Sequence, residues 1–294
     1  MKSIKRIPII LLHHNEFEFL SECIESIYLN TKHPFKLYVV DNLSKKNEKF
    51  WALLSKKYKD VEIIFNPKNN WVYGFNLGIS KNQSDYYLLS DADIVFPKPY
   101  KGVCWLTHLI KEMQQNKPIG KIGLSLNLDL IKNDPKLRRL YQRELSYKYG
   151  ETIGSNIIAP VDTTAALYRA DLFMNIDSKF FMRIGHFSNI KPHYYSVRTS
   201  SDYECIHLGW KKYKLYSLEE YKLDLIDKIN FFAYHGIKVE DELLLMVSFF
   251  RRIKYKLTLK IMRGYYAFTV LINYLVFCLL FKSIKFFRKL YDGQ

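Results

Sequence analysis

Asp91 and Asp93 stand one residue apart in the stretch from Asp85 to Pro97, Asp-Tyr-Tyr-Leu-Leu-Ser-Asp-Ala-Asp-Ile-Val-Phe-Pro. Side chains alternate along extended backbone, so residues i and i+2 share a side and these two carboxylates can reach one point. Two hard oxygen ligands suit Mn²⁺ or Mg²⁺, ions that also carry phosphate oxygens. Tyr86 to Leu89 have strand character and run straight into the acids, which places them at the end of a buried strand. An isolated Asp-x-Asp also fits a solvated turn, so the surrounding elements decide its meaning.

Such a pair acts on a ligand only if a sheet edge presents it, because open α/β sheets collect ligands beyond the carboxyl ends of their strands. Residues 7 to 12 read as a buried strand, followed by a loop of His13, His14 and Asn15. From Phe17 onward, Leu20, Cys23, Ile24 and Ile27 keep the spacing of a helix with one buried face. Strand followed by helix opens a βαβ unit. Phe35 to Val40 predicts a second strand that ends in Asp41, Asn42 and Ser44; a polar helix near 49–58 and a third strand, Val61 to Phe65, follow. Gly74, Asn76 and Gly78 then alternate, where small residues let a helix start approach a sheet or a ligand closely. Neither Gly-x-Gly-x-x-Gly nor a Lys-Ser/Thr ending is present, so this is not a phosphate loop.

Three segments in series carry a resemblance: strand-Asp-Asn-x-Ser at Asp41 to Ser44, Asn-x-Trp-x-Tyr-Gly-Phe-Asn-Leu-Gly-Ile at 69–79, and Asp-Tyr-Tyr-Leu-Leu-Ser-Asp-Ala-Asp at 85–93. Residues 5 to 97 resemble the first half of a family 2 glycosyltransferase of the GT-A fold, of the type that builds bacterial surface polysaccharides. That resemblance implies a mixed, mostly parallel sheet flanked by helices. It implies a nucleotide-sugar donor held by His13, Asn15, Asp41, Asn42, Asn76 and Asp91, and Mn²⁺ or Mg²⁺ held by Asp91 and Asp93.

The second half is consistent with it. Lys101 to Gln115 predicts a helix and Ile119 to Leu124 a strand, and Val161 to Phe173 is similar to the family's acceptor-side strand and helix start, with Thr164 on the acceptor side. Ser201-Asp202-Tyr203-Glu204, followed by Leu208-Gly209-Trp210, is similar to the family's Glu-Asp-x-Asp/Glu motif, with Ser201 departing from it. The resemblance puts the catalytic base at Asp202 and an acceptor contact at Glu204. The residue types equally fit a helix N-cap at Ser201 or Asp202. His235, after a short apolar run, falls where some GT-A enzymes have a third metal ligand. The implied reaction is inverting transfer of a sugar to a glycan or lipid-linked acceptor in capsule or lipopolysaccharide synthesis. A nucleotidyltransferase, and a non-catalytic membrane-binding protein on the same fold, are the alternatives.

The chain has 294 residues and a formal charge of +16, with 48% hydrophobic and 25% charged residues, which describes a globular protein with a sizeable core. Cys23, Cys104, Cys205 and Cys278 lie far apart with no Cys-x-x-Cys, so neither a zinc site nor a disulfide framework is suggested and a reduced, cytoplasmic setting is the simplest expectation. The charge is unevenly placed. Residues 251–294 hold ten Lys or Arg and one acid, a net of +9, beside strongly apolar sequence. This favours an anionic membrane surface at the inner face of the cell membrane over nucleic acid. Ile253, Leu257 and Ile261 form an apolar line beside Arg252, Lys256, Lys260 and Arg263; seventeen uncharged residues, Tyr265 to Phe281, follow. Interfacial attachment, a short membrane span and packing in a homodimer all fit this pattern. The organisation expected is a donor half at 1–98, an acceptor half at 99–240, and basic amphipathic and hydrophobic helices at 241–294.

Overall fold

The computed structural model describes residues 6–173, 194–234 and 236–291. They form two compact units, the first reaching Leu215 and the second, with Tyr194, starting at Tyr216. That start falls inside the segment 99–240.

The first unit opens with β1 (Ile7–His13), α1 (Phe17–Asn30), β2 (Phe35–Asn42), α2 (Glu48–Lys57), β3 (Glu62–Asn66), α3 (Phe75–Ile79) and β4 (Tyr86–Asp91). β1 pairs in parallel with β2 on one side and β4 on the other. Ile7, Ile9, Ile10 and Leu11 are all buried. Being covered on both faces explains why β1 reads as a continuous apolar run and not as an alternation. The registers set His13 opposite Asp41 and Leu12 opposite Asp91, so the three strands finish at one level. α1 buries Leu20, Cys23, Ile24 and Ile27, the face its spacing predicts. On α3 a Cβ at Gly78 would meet Ile10 Cγ2 at 2.6 Å, and one at Gly74 would meet Leu12 Cδ1 at 2.7 Å. These glycines let α3 lie against the sheet; what they approach is β1 and, at Gly74, also Asn42 of β2.

The chain continues through β5 (Ile94–Val95), α4 (Trp105–Gln115), β6 (Ile119–Gly123), β7 (Ser125–Leu126), α5 (Arg138–Ser146), β8 (Thr152–Ile153), β9 (Asn156–Ile158), β10 (Ala166–Arg169), α6 (Ala170–Phe173), β11 (Tyr195–Arg198), β12 (Glu204–His207) and α7 (Gly209–Leu215). The main sheet has the order β3-β2-β1-β4-β10-β6-β11-β9-β8, and β5-β12-β7 make a second small sheet. β10 is antiparallel to both β4 and β6, whereas β6 and β11 are parallel. The result is the expected mixed, mostly parallel sheet flanked by helices, the GT-A architecture. One local expectation changes: Ser201–Tyr203 is a short 3-10 turn, and Glu204 begins a strand where a helix N-cap was an option.

The second unit is helical: α8 (Leu218–Asp227), α9 (Ile229–Tyr234), α10 (Asp241–Leu245) and α11 (Phe249–Tyr291). Ser217 and Glu220 form a reciprocal capping box at the start of α8. Ile226, Ile229, Ala233, Leu243 and Tyr255 form its core. The Tyr255 hydroxyl accepts from Val239 N (2.8 Å) and donates to Ile237 O (3.1 Å), which permits its burial. The amphipathic and uncharged segments of the sequence join in the single 43-residue helix α11. Among the described residues, no helix is long and apolar enough to cross a membrane.

Candidate active site

Asp91 is the last residue of β4, after the buried run Tyr87 to Ser90. The chain then turns, and β5 pairs antiparallel with β12, matching Val95 with Ile206 and Ile94 with His207. This pairing carries a histidine more than a hundred residues distant to the Asp-x-Asp. His207 Nδ1 lies 3.4 Å from Asp93 Oδ2, and Leu208 N donates to Asp93 O at 2.7 Å. Asp91, Asp93 and His207 each offer one ligand atom, all within 4.8 Å of one another. The imidazole is stacked on Trp210, with ring centroids 5.1 Å apart and planes 4° from parallel. Gly209 is demanded by the same crowding, since a Cβ there would collide with Asp93 Oδ2.

Charge is concentrated without full compensation at this point. Burial, and then the charge of Asp93, push the Asp91 carboxyl up to about 7. Asp93 Oδ1 and His207 Nδ1 are buried with no hydrogen-bond partner among the described residues. Buried polar atoms of this kind are costly unless something satisfies them. Two carboxylate oxygens and one imidazole nitrogen make a donor set suited to Mn²⁺, and less to Mg²⁺, which prefers oxygen alone. Thr164 Oγ1 donates to Asp91 Oδ2 at 3.0 Å, which orients that carboxylate. Its neighbour Ala165 takes a left-handed conformation (φ 47°), held by donation from Ala165 N to Ser90 Oγ at 3.1 Å. Burial would raise the Asp162 carboxyl, but Arg198 and the Thr164 hydrogen bonds hold it below the usual carboxylate range.

The ends of β1 and β2 form the neighbouring wall. Asn15, at φ 65°, accepts from Lys45 N (2.8 Å) and its own N donates to Ser44 Oγ (2.8 Å), joining the two loops. Asn42 is a clip: its Oδ1 accepts from Asn66 Nδ2 (2.8 Å) and Asn70 N (3.1 Å), and its Nδ2 donates to Asn69 Oδ1 (2.8 Å) and Trp71 O (3.1 Å). Asp41 Oδ2 accepts from Ser44 N at 3.3 Å, while Asp41 Oδ1 is buried without a hydrogen bond among the described residues. His13 packs against Phe17 and Trp51, and both its ring nitrogens are buried and, among the described residues, without a hydrogen bond. Burial pushes the His13 imidazole down to about 3.

Residues 9–177, more than half the chain, match the family described as Glycosyl transferase family 2. The chain belongs to that family. It is a glycosyltransferase of the GT-A fold. Among solved structures it resembles the mannosyltransferase PcManGT from Pyrobaculum calidifontis in complex with GDP-Man and Mn²⁺, at 13% identity over 89% of this chain and 75% of that one, with a TM-score of 0.53. It also aligns with S. aureus TarS 1–349 in complex with UDP-GlcNAc, at 12% identity over 81% and 69% of the two chains and a TM-score of 0.48. A third alignment is with GalNAc-T7 with UDP, GalNAc and Mn²⁺, at 12% identity and a TM-score of 0.49, over 70% of this chain but only 44% of that protein. No curated protein sequence matches.

Within this glycosyltransferase the remaining expected residues fall as follows. Asp202 is exposed on the turn after Thr199, with Ser200 Oγ donating to its Oδ2 at 3.4 Å. Glu204 is already engaged, in an ion pair with Lys148 and accepting from Asn127 Nδ2 at 3.3 Å. Asn76 lies half-buried on α3. His235 lies outside the described residues; among those described, His207 is the histidine at the carboxylates. In the sequence its only local marks are the following Leu208-Gly209 and a position in the alternating Cys205-Ile206-His207.

Proposed function

We propose that this glycosyltransferase uses a nucleotide-sugar donor whose diphosphate is carried by a divalent cation, Mn²⁺ in preference to Mg²⁺, and passes the sugar with inversion to a glycan or lipid-linked acceptor. The observation that carries the reading is the cluster of Asp91, Asp93 and His207, in which Asp93 Oδ1 and His207 Nδ1 are buried without a hydrogen bond among the described residues. The GDP-Man and Mn²⁺ in the complex of PcManGT support that class of donor.

Asp91, Asp93 and His207 would hold the cation, whose chemistry is to neutralise a leaving diphosphate as a Lewis acid. Thr164 keeps Asp91 turned toward its partners, and Trp210 and Gly209 keep His207 and Asp93 in place. Asp41 Oδ1, buried and unpaired beside His13, offers an acceptor for a donor N–H or O–H from the nucleoside. Asp202, exposed to solvent, takes the proton of the attacking hydroxyl. One base acting opposite the leaving group gives a single displacement, hence inversion. A surface polysaccharide intermediate is the acceptor class we assign, and assembly at the inner face of a membrane is the setting.

The experiment is a panel of nucleotide sugars incubated with the protein and Mn²⁺, following release of the nucleoside diphosphate and binding by calorimetry. One donor should bind in a Mn²⁺-dependent way that Asp93→Ala removes. Equal donor binding by Asp93→Ala would refute the reading.

A further inference from the structure

The second unit presents two apolar faces on one helix. α11 turns Tyr255 and Met262 inward, where Tyr255 is 1% and Met262 9% exposed, and Leu259 packs beside them on the core of its own unit. Phe250, Leu257, Ile261 and Phe268 lie close to one line along the opposite side at the helical period, and they are 82%, 57%, 67% and 61% exposed. Ile253 and Leu271 extend the same stripe and are exposed too. A row of large apolar side chains several turns long exceeds what an unpartnered surface normally shows.

Cationic groups border the stripe. Lys254, Lys256, Lys260 and Arg263 are exposed along it. Arg251 and Arg263 anchor the helix to its own unit, donating to Ile226 O (2.7 Å) and Gly236 O (3.0 Å). No acid stands between Phe249 and Tyr291. An apolar ridge edged only by positive charge is complementary to a surface that is apolar inside and anionic outside.

We propose that the outer side of α11, centred on Phe250, Leu257 and Ile261, docks flat on an anionic lipid bilayer, with Lys256 and Lys260 among the headgroups. Lysine stems cover apolar surface while their ammonium groups stay in the wet layer, which suits this placement. The inner side of the helix stays on its own core, so docking requires no unfolding of the unit. The proposal stands apart from the assignment of the transferase site, because it uses none of its residues.

The test is sedimentation of the full chain with vesicles of phosphatidylcholine alone, or with about one third phosphatidylglycerol. Binding to the anionic vesicles should exceed binding to the neutral ones by at least about tenfold and should weaken as salt is raised. Leu257→Glu with Ile261→Glu should abolish it, and Lys256→Gln and Lys260→Gln should each weaken it about fivefold, the change expected for one charge near such a surface. Circular dichroism and nucleotide binding of the same variants report that the fold is kept. Equal binding to both vesicles, or binding that survives the double glutamate variant, overturns the proposal. So does a concentration-dependent dimer that the glutamate variant dissolves while no vesicle is bound, which would make a second copy the occupant.

Discussion

The loops after β1 and β2 fasten one another, whereas the ends of β4 and β12 crowd like charges together and leave atoms over. Asn15, Ser44 and Asn42 spend their hydrogen bonds inside the protein, and Asn42 alone engages four partners. Asp91, Asp93 and His207 instead converge with Asp93 Oδ1 and His207 Nδ1 unsatisfied. The first region is a wall whose loops are tied by their own hydrogen bonds, with Asp41 Oδ1 and the His13 ring nitrogens the atoms it leaves without one among the described residues. The second is the cluster that, in the proposed function, a divalent cation would complete. The two meet on one sheet edge because the registers of β1 with β2 and β4 align them.

The contrast is broken most severely at its charged end. Asp93→Ala is expected to lower turnover by at least about 10³-fold with the fold intact, checked by steady-state release of the nucleoside diphosphate. Asp202→Asn tests a group outside both regions. It should cost about 10³-fold in kcat while donor binding by calorimetry is unchanged. Gly209→Ala sharpens the comparison, because it pushes a methyl group into Asp93 and against the His207 ring; Mn²⁺ affinity should fall by about 10- to 100-fold. At the wall the expected loss is stability. Asn42→Ala strands the partners of its amide and should cost about 2–3 kcal/mol in urea unfolding.

The same wall sets a pH dependence of stability. His13 is held neutral, with its value down at about 3, whereas an unfolded His titrates near ~6.5. The unfolded chain therefore binds more protons between these values. Stability from this site is fully present above about 6.5 and is lost as pH falls toward about 3. His13→Leu should flatten that part of the stability curve.

Much of this arrangement was legible in the sequence, for identifiable reasons. β1, β2 and β4 announce themselves because strands buried on both faces are apolar throughout and end abruptly in polar residues. The Asp-x-Asp was legible because its two ligands share one strand end. His207 was not. Its place depends on the antiparallel pairing of two-residue β5 with β12, and nothing in residues 94–95 or 204–207 encodes their meeting. Asn42 shows a different gap: a polar residue at a strand end reads as a ligand contact, and only the packed loop at 66–71 reveals how fully it is used. Gly74, just before α3, and Gly78 within it left sheet and ligand open, and the nearest contacts, Leu12 and Ile10, decide for the sheet.

The central claim is that Asp91, Asp93 and His207 hold one divalent cation. Mn²⁺ titration followed by electron paramagnetic resonance, with and without a nucleoside diphosphate, tests it most directly. The account predicts one site per chain, tightened by the nucleotide, weakened in His207→Ala and absent in Asp93→Ala. Mn²⁺ bound with unchanged stoichiometry and affinity by both variants would contradict it.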